Sequence, residues 1–251
     1  MKSSIRALVQ WSILCLLCHL AHANVEKLVF SAPQAGPLPS DASIDNLLLP
    51  TLSAQNSSLR TFLNASFPTR HSPKGTQTWV LLEHLTPGRR YEVRVNWIAT
   101  QPTQFWLYGH TMHSVFASPD LLSALTAYSN ARHHQSTTAN DLGQIRSARQ
   151  SQRLSHADPD PALTTPLFLQ IFAKADYYTL NATMMDIVPP VQVDLILDPY
   201  LLSILPTTLL PTVGFILAVA VGSWLASGWI IKSLLRPLAS RPEVSEGKKR
   251  R

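Results

Sequence analysis

Few residues in this 251-residue chain combine the type and spacing that chemistry requires. Asp158-Pro159-Asp160 matches the DxD pattern by which many sugar-nucleotide glycosyltransferases hold a metal ion. It sits in a polar stretch poor in large apolar residues, so a solvated acidic turn is the expectation. His110-Thr111-Met112-His113 and His133-His134 offer imidazoles. No HExxH motif or cysteine accompanies them and nearby carboxylates are sparse, so exposed or strand-edge histidines are expected and no metal site. Cys15-x-x-Cys18 has redox spacing but lies in an apolar N-terminal run. There is no GxSxG elbow and no Walker loop. Only five glycines fall between Asn24 and Thr212, too few for a phosphate cradle. The expectation is a chain with no catalytic residues and no cofactor of its own.

The remaining motifs concern modification and address. Asn56-Ser57-Ser58, Asn64-Ala65-Ser66 and Asn181-Ala182-Thr183 are N-glycosylation sequons without proline at the middle position. The chain ends Lys248-Lys249-Arg250-Arg251. Lysines third and fourth from the C-terminus match the dilysine signal that returns type I membrane proteins to the endoplasmic reticulum; a basic patch beside anionic lipid is the other reading of Lys248 and Lys249.

These motifs make sense only on a particular topology. Residues 1–23 have the layout of a secretory signal peptide: Lys2 and Arg6, an apolar run from Trp11 to Leu20, and Ala21-His22-Ala23 as a small-x-small cleavage site. Residues 212–231 hold twenty residues and no charge. At about 1.5 Å per residue they cover about 30 Å, the thickness of a bilayer's apolar core. Trp224 and Trp229 would seat the cytosolic end.

The net charge of +6 then separates by compartment. The tail, 232–251, holds seven basic residues and two acids, a net +5. The stretch 24–231 holds 12 basic and 13 acidic residues, a net −1. Positive charge just past a span marks the cytosolic side. The basic pI is thus an orientation signal, and no nucleic-acid partner is expected. With Cys15 and Cys18 inside the cleaved segment, the mature chain would have no disulfide and no zinc-thiolate site.

Between signal and span, residues 24–200 read as a β-rich lumenal domain. Arg90–Trp97 alternates polar and apolar, with Tyr91, Val93, Val95 and Trp97 on one face. Trp79–Leu85 reads as the preceding strand, joined to it by Thr86-Pro87-Gly88 in a hairpin. Gln104–Tyr108, Leu167–Ala173, Val191–Leu197 and Val25–Phe30 are further strands. Asp120 is expected to cap a helix reaching Ala131. The fold class is mostly β: an antiparallel immunoglobulin/fibronectin-like sandwich plus one C-terminal transmembrane helix. The pattern Leu85-Thr-Pro-Gly-x-x-Tyr91-x-Val93-x-Val95 resembles a fibronectin-III-like strand start, which concerns fold alone. Residues 32–39 and about 133–161 are expected to be loose, the second as a long mobile loop. In the membrane-proximal segment, 201–211, Pro206 and Pro211 prevent one long helix, so the apolar run lies against the bilayer or a partner, or forms a plain stalk.

In the span, Gly214, Ala218, Gly222 and Ala226 recur at every fourth position. Such steps trace one stripe of a helix, where small residues let another backbone approach closely.

The stretches Pro87–Thr103 and Val188–Tyr200 resemble the fungal GPI-mannosyltransferase II co-activator family, over most of the lumenal region and the single span. The resemblance implies a glycosylated endoplasmic-reticulum membrane protein. Its partner would be the multi-spanning catalytic subunit that adds the second mannose to the GPI anchor precursor from dolichol-phosphate-mannose. This chain would stabilise or activate that subunit, and the family has no catalytic residues to carry over. A lumenal chaperone or cargo receptor is the alternative.

Overall fold

The computed structural model describes residues 24–34, 44–135, 166–231 and 233. In chain order the strands are β1 (Val25–Ser31), β2 (Thr51–Ser53), β3 (Ser58–Leu63), β4 (Thr76–Glu83), β5 (Arg90–Trp97) and β6 (Thr103–Thr111). Helices α1 (Met112–Ala117) and α2 (Pro119–Gln135) follow, then β7 (Leu167–Ala175), α3 (Ala182–Asp186), β8 (Val191–Leu201), β9 (Leu205–Pro206) and α4 (Leu210–Ile230). Short 3₁₀ turns cover Ile44–Leu47 and Thr207–Leu209.

Hydrophobic pattern sets the layers. β5 and β8 alternate, so each buries one face: Tyr91, Val93 and Val95, and Val191, Val193, Leu195 and Leu197. β4 and β7 instead bury successive residues, Trp79 to Leu82 and Leu167 to Ile171, as strands covered on both faces do; Gln170 is the one polar residue among them. One sheet has the order β1-β5-β8-β3, with β9 paired to β8; the other has β2-β4-β7-β6. Val80, Leu82, Leu169 and Ile171 of the second sheet share one apolar core with the inward residues of the first. On the second sheet's other side, Trp79, Leu81 and Phe168 pack with Met112, Val115 and Leu125 of α1 and α2. Each leucine so buried contributes about 1.5–3 kcal/mol.

Several expectations need correction. Trp79–Leu85 and Arg90–Trp97 do not form a hairpin, because β4 and β5 lie in different sheets. The turn between them is a corner. Leu85 and Tyr91 are fully buried, and the Thr86 N–H donates to the Tyr91 hydroxyl oxygen at 2.9 Å. Fixing Tyr91 this way directs β5 across the core. The sheets are not wholly antiparallel either: β2 pairs parallel with β4.

The expected helix at 120–131 runs from Pro119 to Gln135, and its cap is Ser118, whose Oγ accepts from the Leu121 N–H at 3.5 Å. Asp120 falls in the first turn, next to Pro119 at the first helical position, which favours proline. The start of the expected loop is therefore helical. His133 donates from Nε2 to the Asn46 carbonyl at 2.8 Å, tying the last turn of α2 to the first 3₁₀ turn. The remainder of that loop, 136–161, with Asp158 and Asp160, lies outside the described residues, as do 35–39, the signal segment and the tail from residue 234 on.

Candidate functional site at the membrane junction

One face of the β1-β5-β8-β3 sheet is left uncovered by the helices α1 and α2, and polar residues of alternating strands point out from it. Lys27, Ser58, Arg60 and Arg90 are exposed. Two carboxylates at the end where β8 approaches the apolar helix are not. Asp198 is 1 % exposed and Glu92 5 %. Isolated carboxylates cannot be buried so deeply without compensation.

The compensation comes from the chain's own return. After β8 the backbone reverses, β9 pairs Tyr200 with Pro206 and Leu201 with Leu205, and Thr207 and Thr208 swing under the sheet. The Thr207 hydroxyl donates to Asp198 Oδ1 at 2.7 Å, and the Thr208 N–H lies 3.3 Å from the same oxygen. The Thr208 hydroxyl donates to Oδ2. Arg94 Nη2 approaches Oδ2 at 3.4 Å and donates to the Thr208 hydroxyl at 3.2 Å. Asp198 thus caps the 3₁₀ turn that runs straight into α4, a carboxylate at a helical N-terminus supplied from a strand.

Glu92 completes the cluster. The Tyr200 hydroxyl donates to Glu92 Oε2 at 2.9 Å, Lys27 Nζ lies 3.9 Å from that oxygen, and Arg94 Nε sits 3.5 Å from Oε1. The Arg94 Nε contact is an ion pair outside hydrogen-bond geometry. Burial, and then the hydrogen bond to Glu92, push the Tyr200 phenol above its ordinary range. Two carboxylates facing one guanidinium and one ammonium are balanced in charge. Every oxygen is engaged, so the cluster holds the root of α4 against the domain and presents no free acid or base.

Farther along the same face, Arg60 grips Asp194 in a two-point pair, Nε–Oδ1 2.7 Å and Nη2–Oδ2 2.9 Å. The hydrogen bonds from Arg60 hold the Asp194 carboxyl below the usual carboxylate range.

α4 is long and apolar enough to cross a bilayer, and none of it is buried against the rest of the chain. Pro211 lies in its first turn, where a missing N–H costs nothing, so it starts the helix and does not break it. Gly214, Ala218, Gly222 and Ala226 all lie on α4, and a Cβ added at Gly214 or Gly222 meets nothing within 4 Å. The stripe is open.

The three sequon asparagines are exposed. Asn56 turns the chain from β2 to β3, its N–H donating to Ser53 Oγ at 3.1 Å. Asn64 follows β3. Asn181 caps α3, its side-chain oxygen accepting from the Thr183 N–H at 3.1 Å. They are spread over the domain and form no common site. Lys248 and Lys249 lie outside the described residues.

His110 is engaged elsewhere. His110 Nε2 is 3.1 Å from Gln170 Oε1, and Gln170 donates onward to Gln77 at 2.9 Å. Among the described residues no three His, Cys, Asp or Glu side chains converge as a metal site would require.

The sequence reading did not anticipate the Asp198 cluster. Its signals were an aspartate and an arginine on the polar faces of two good strands, which normally mean solvent.

A model of the GPI-mannosyltransferase II co-activator family matches residues 14–226, from the N-terminal apolar run to the last turns of α4. No curated protein and no solved structure matches the chain. The match takes in the two-sheet domain, the Asp198 junction and most of the apolar helix as one unit, and the chain belongs to the GPI-mannosyltransferase II co-activator family.

Proposed function

We propose that this chain is a non-catalytic subunit that stabilises or activates the endoplasmic-reticulum mannosyltransferase adding the second mannose to the GPI anchor precursor. The family match over residues 14–226 carries the reading. The unpartnered α4, with its stripe at Gly214, Ala218, Gly222 and Ala226, supports a contact with a multi-spanning catalytic subunit inside the bilayer. That subunit would take dolichol-phosphate-mannose and perform the transfer. The domain is lumenal, the tail is cytosolic, and Lys248 and Lys249 return the protein to the endoplasmic reticulum. The Leu85–Tyr91 corner and the core shared by two sheets favour an immunoglobulin/fibronectin-like sandwich, with the parallel β2–β4 pair as a departure.

Depletion of the chain is expected to accumulate a one-mannose GPI intermediate. General cargo retention with normal GPI intermediates would instead mark a client-binding receptor. Replacing Gly214, Ala218, Gly222 and Ala226 with leucine fills the stripe. It is expected to lower recovery of the catalytic subunit in detergent pull-downs about tenfold, the equivalent of about 1.4 kcal/mol. Unchanged co-purification rules out contact through this face.

Orientation has its own test. Asn56, Asn64 and Asn181 are all exposed, and in a lumenal domain each is open to modification. Endoglycosidase H is expected to sharpen and speed the band on gels, and Asn181→Gln to remove one step of that shift. A protein with no glycan on any of the three would contradict a lumenal domain.

A further inference from the structure

The apolar approach to α4 is a hairpin, and its tip is unusual in two independent ways. The Ile204 N–H donates to the Leu201 carbonyl at 3.1 Å, and Leu202 and Ser203 between them have φ of 52° and 59°. Two successive left-handed residues make a type I′ turn, whose central positions favour Asn and Gly. A leucine there is conformationally disfavoured. Nor does it pack: Leu202 is 83 % exposed and Ile204 80 %. Neither backbone preference nor the chain's own core accounts for large apolar side chains at this tip.

Its position does. Ile204 stands six residues before Leu210, the first residue of α4. Six residues reach at most about 20 Å, and the Asp198 cap shortens that tether further. Thr207 and Thr208 turn inward to the carboxylate, while Leu209 and Leu210 stay exposed beside them. Apolar surface therefore continues from the tip into the helix. At its flank the exposed Arg90 donates to the Ser203 carbonyl at 3.4 Å and lies over the Tyr200 ring, 5.2 Å from its centre. Arginine and tyrosine are the side chains that settle at headgroup level.

We propose that the Leu201–Leu205 hairpin is a second membrane contact: Leu202 and Ile204 enter the acyl-chain boundary of the leaflet next to the root of α4, and the exposed Arg90 lies among the headgroups. The proposal rests on α4 being the span. Exposure alone does not pick out this tip, since Leu180 is 93 % exposed. Leu180, however, comes before the start of β8, whereas the hairpin follows the far end of that eleven-residue strand.

The test uses the full chain, carrying Cys15→Ser and Cys18→Ser, in phosphatidylcholine vesicles. A spin label is placed in turn by Ile204→Cys, Val219→Cys in α4 and Leu180→Cys. Relaxation by oxygen, which partitions into lipid, is compared with relaxation by a water-soluble nickel chelate. Position 204 is expected to favour oxygen several-fold, as position 219 does, while position 180 favours nickel. If 219 reports lipid and 204 reports water, the hairpin proposal fails and the span stands. If 219 reports water, the span fails and the proposal with it. Shielding of 204 from both reagents means protein covers the tip, which also overturns the proposal. The double variant Leu202→Asn with Ser203→Gly supplies the residues a type I′ turn prefers. It is expected to keep the fold while moving the label at 204 toward water; an unchanged lipid signature at 204 in this variant would also count against the wedge.

Discussion

Replacing Asp198 with alanine is expected to destabilise the full chain by about 3–5 kcal/mol, the usual cost of removing one member of a buried ion pair. Asp198 is almost wholly buried and accepts from Thr207, from both the N–H and hydroxyl of Thr208, and pairs with Arg94. Its loss leaves those donors without their acceptor at the root of α4, and leaves Glu92 as the one carboxylate facing Arg94. For a domain of this size each kcal/mol moves the midpoint by about 2–4 °C. A fall of at least 6 °C is therefore expected in mild detergent.

Asp198→Asn is the informative comparison. An amide oxygen can still accept from Thr207 and Thr208, but the charge opposite Arg94 is gone, so a smaller loss is expected. The amides of Thr207 to Leu210 should exchange with deuterium much faster in Asp198→Ala than in the natural chain, because the cap that closes this turn is missing. A variant with the natural midpoint and natural exchange at these amides would show that the cluster does not fix the helix to the domain. Among the described residues, this cluster is the joint between α4 and the two-sheet domain.

How much of this was readable in advance differs by element, for physical reasons. Arg90–Trp97 alternates cleanly, and its limits in the structure are those read from the sequence. β7 and β8 begin where expected because Leu167 opens an apolar triplet and Val191 an alternation, with no competing helical period. β3 was missed although Leu59, Thr61 and Leu63 face one way: its outward face carries Phe62, which blurs the alternation, and a sequon overlaps its first residue. The corner between β4 and β5 was misread as a hairpin because Thr-Pro-Gly signals a turn without saying into which sheet the chain turns. Tyr91 decides that through a hydrogen bond to Thr86, which spacing alone does not reveal.

The junction was illegible for a related reason. Asp198 meets Thr207 and Thr208 only because the chain reverses at Leu202 and Ser203, and neither is the Asn or Gly that such a turn favours. A reader of residue types sees a proline-broken apolar stalk. The fold makes it a capped joint. The stripe on α4 could be read because a helix's period is local.

The second large effect is expected at Gly75, which no motif reading singled out. Gly75 ends the loop that leads into β4 and has φ of +77°. A Cβ built there overlaps the Ala173 carbonyl oxygen and falls 2.8 Å from its carbon, both backbone atoms of β7. Backbone cannot step aside as a flexible side chain does. β7 is paired with β4 on one side and β6 on the other, and it lines both apolar clusters, so displacing Ala173 disturbs each of them. Gly75→Ala is therefore expected to cost about 4–5 kcal/mol or more, the upper end for a single substitution. Gly88 separates the causes. It has nearly the same backbone angle, +72°, but its nearest neighbour is the flexible Gln34 side chain at 3.5 Å. Gly88→Ala should show the left-handed strain alone, about 1–2 kcal/mol. Thermal unfolding of both variants in detergent measures the difference. A loss several times larger at Gly75 locates the cost in the close approach to β7; equal losses at the two glycines would mean that the loop yields and the approach is not a constraint on the fold.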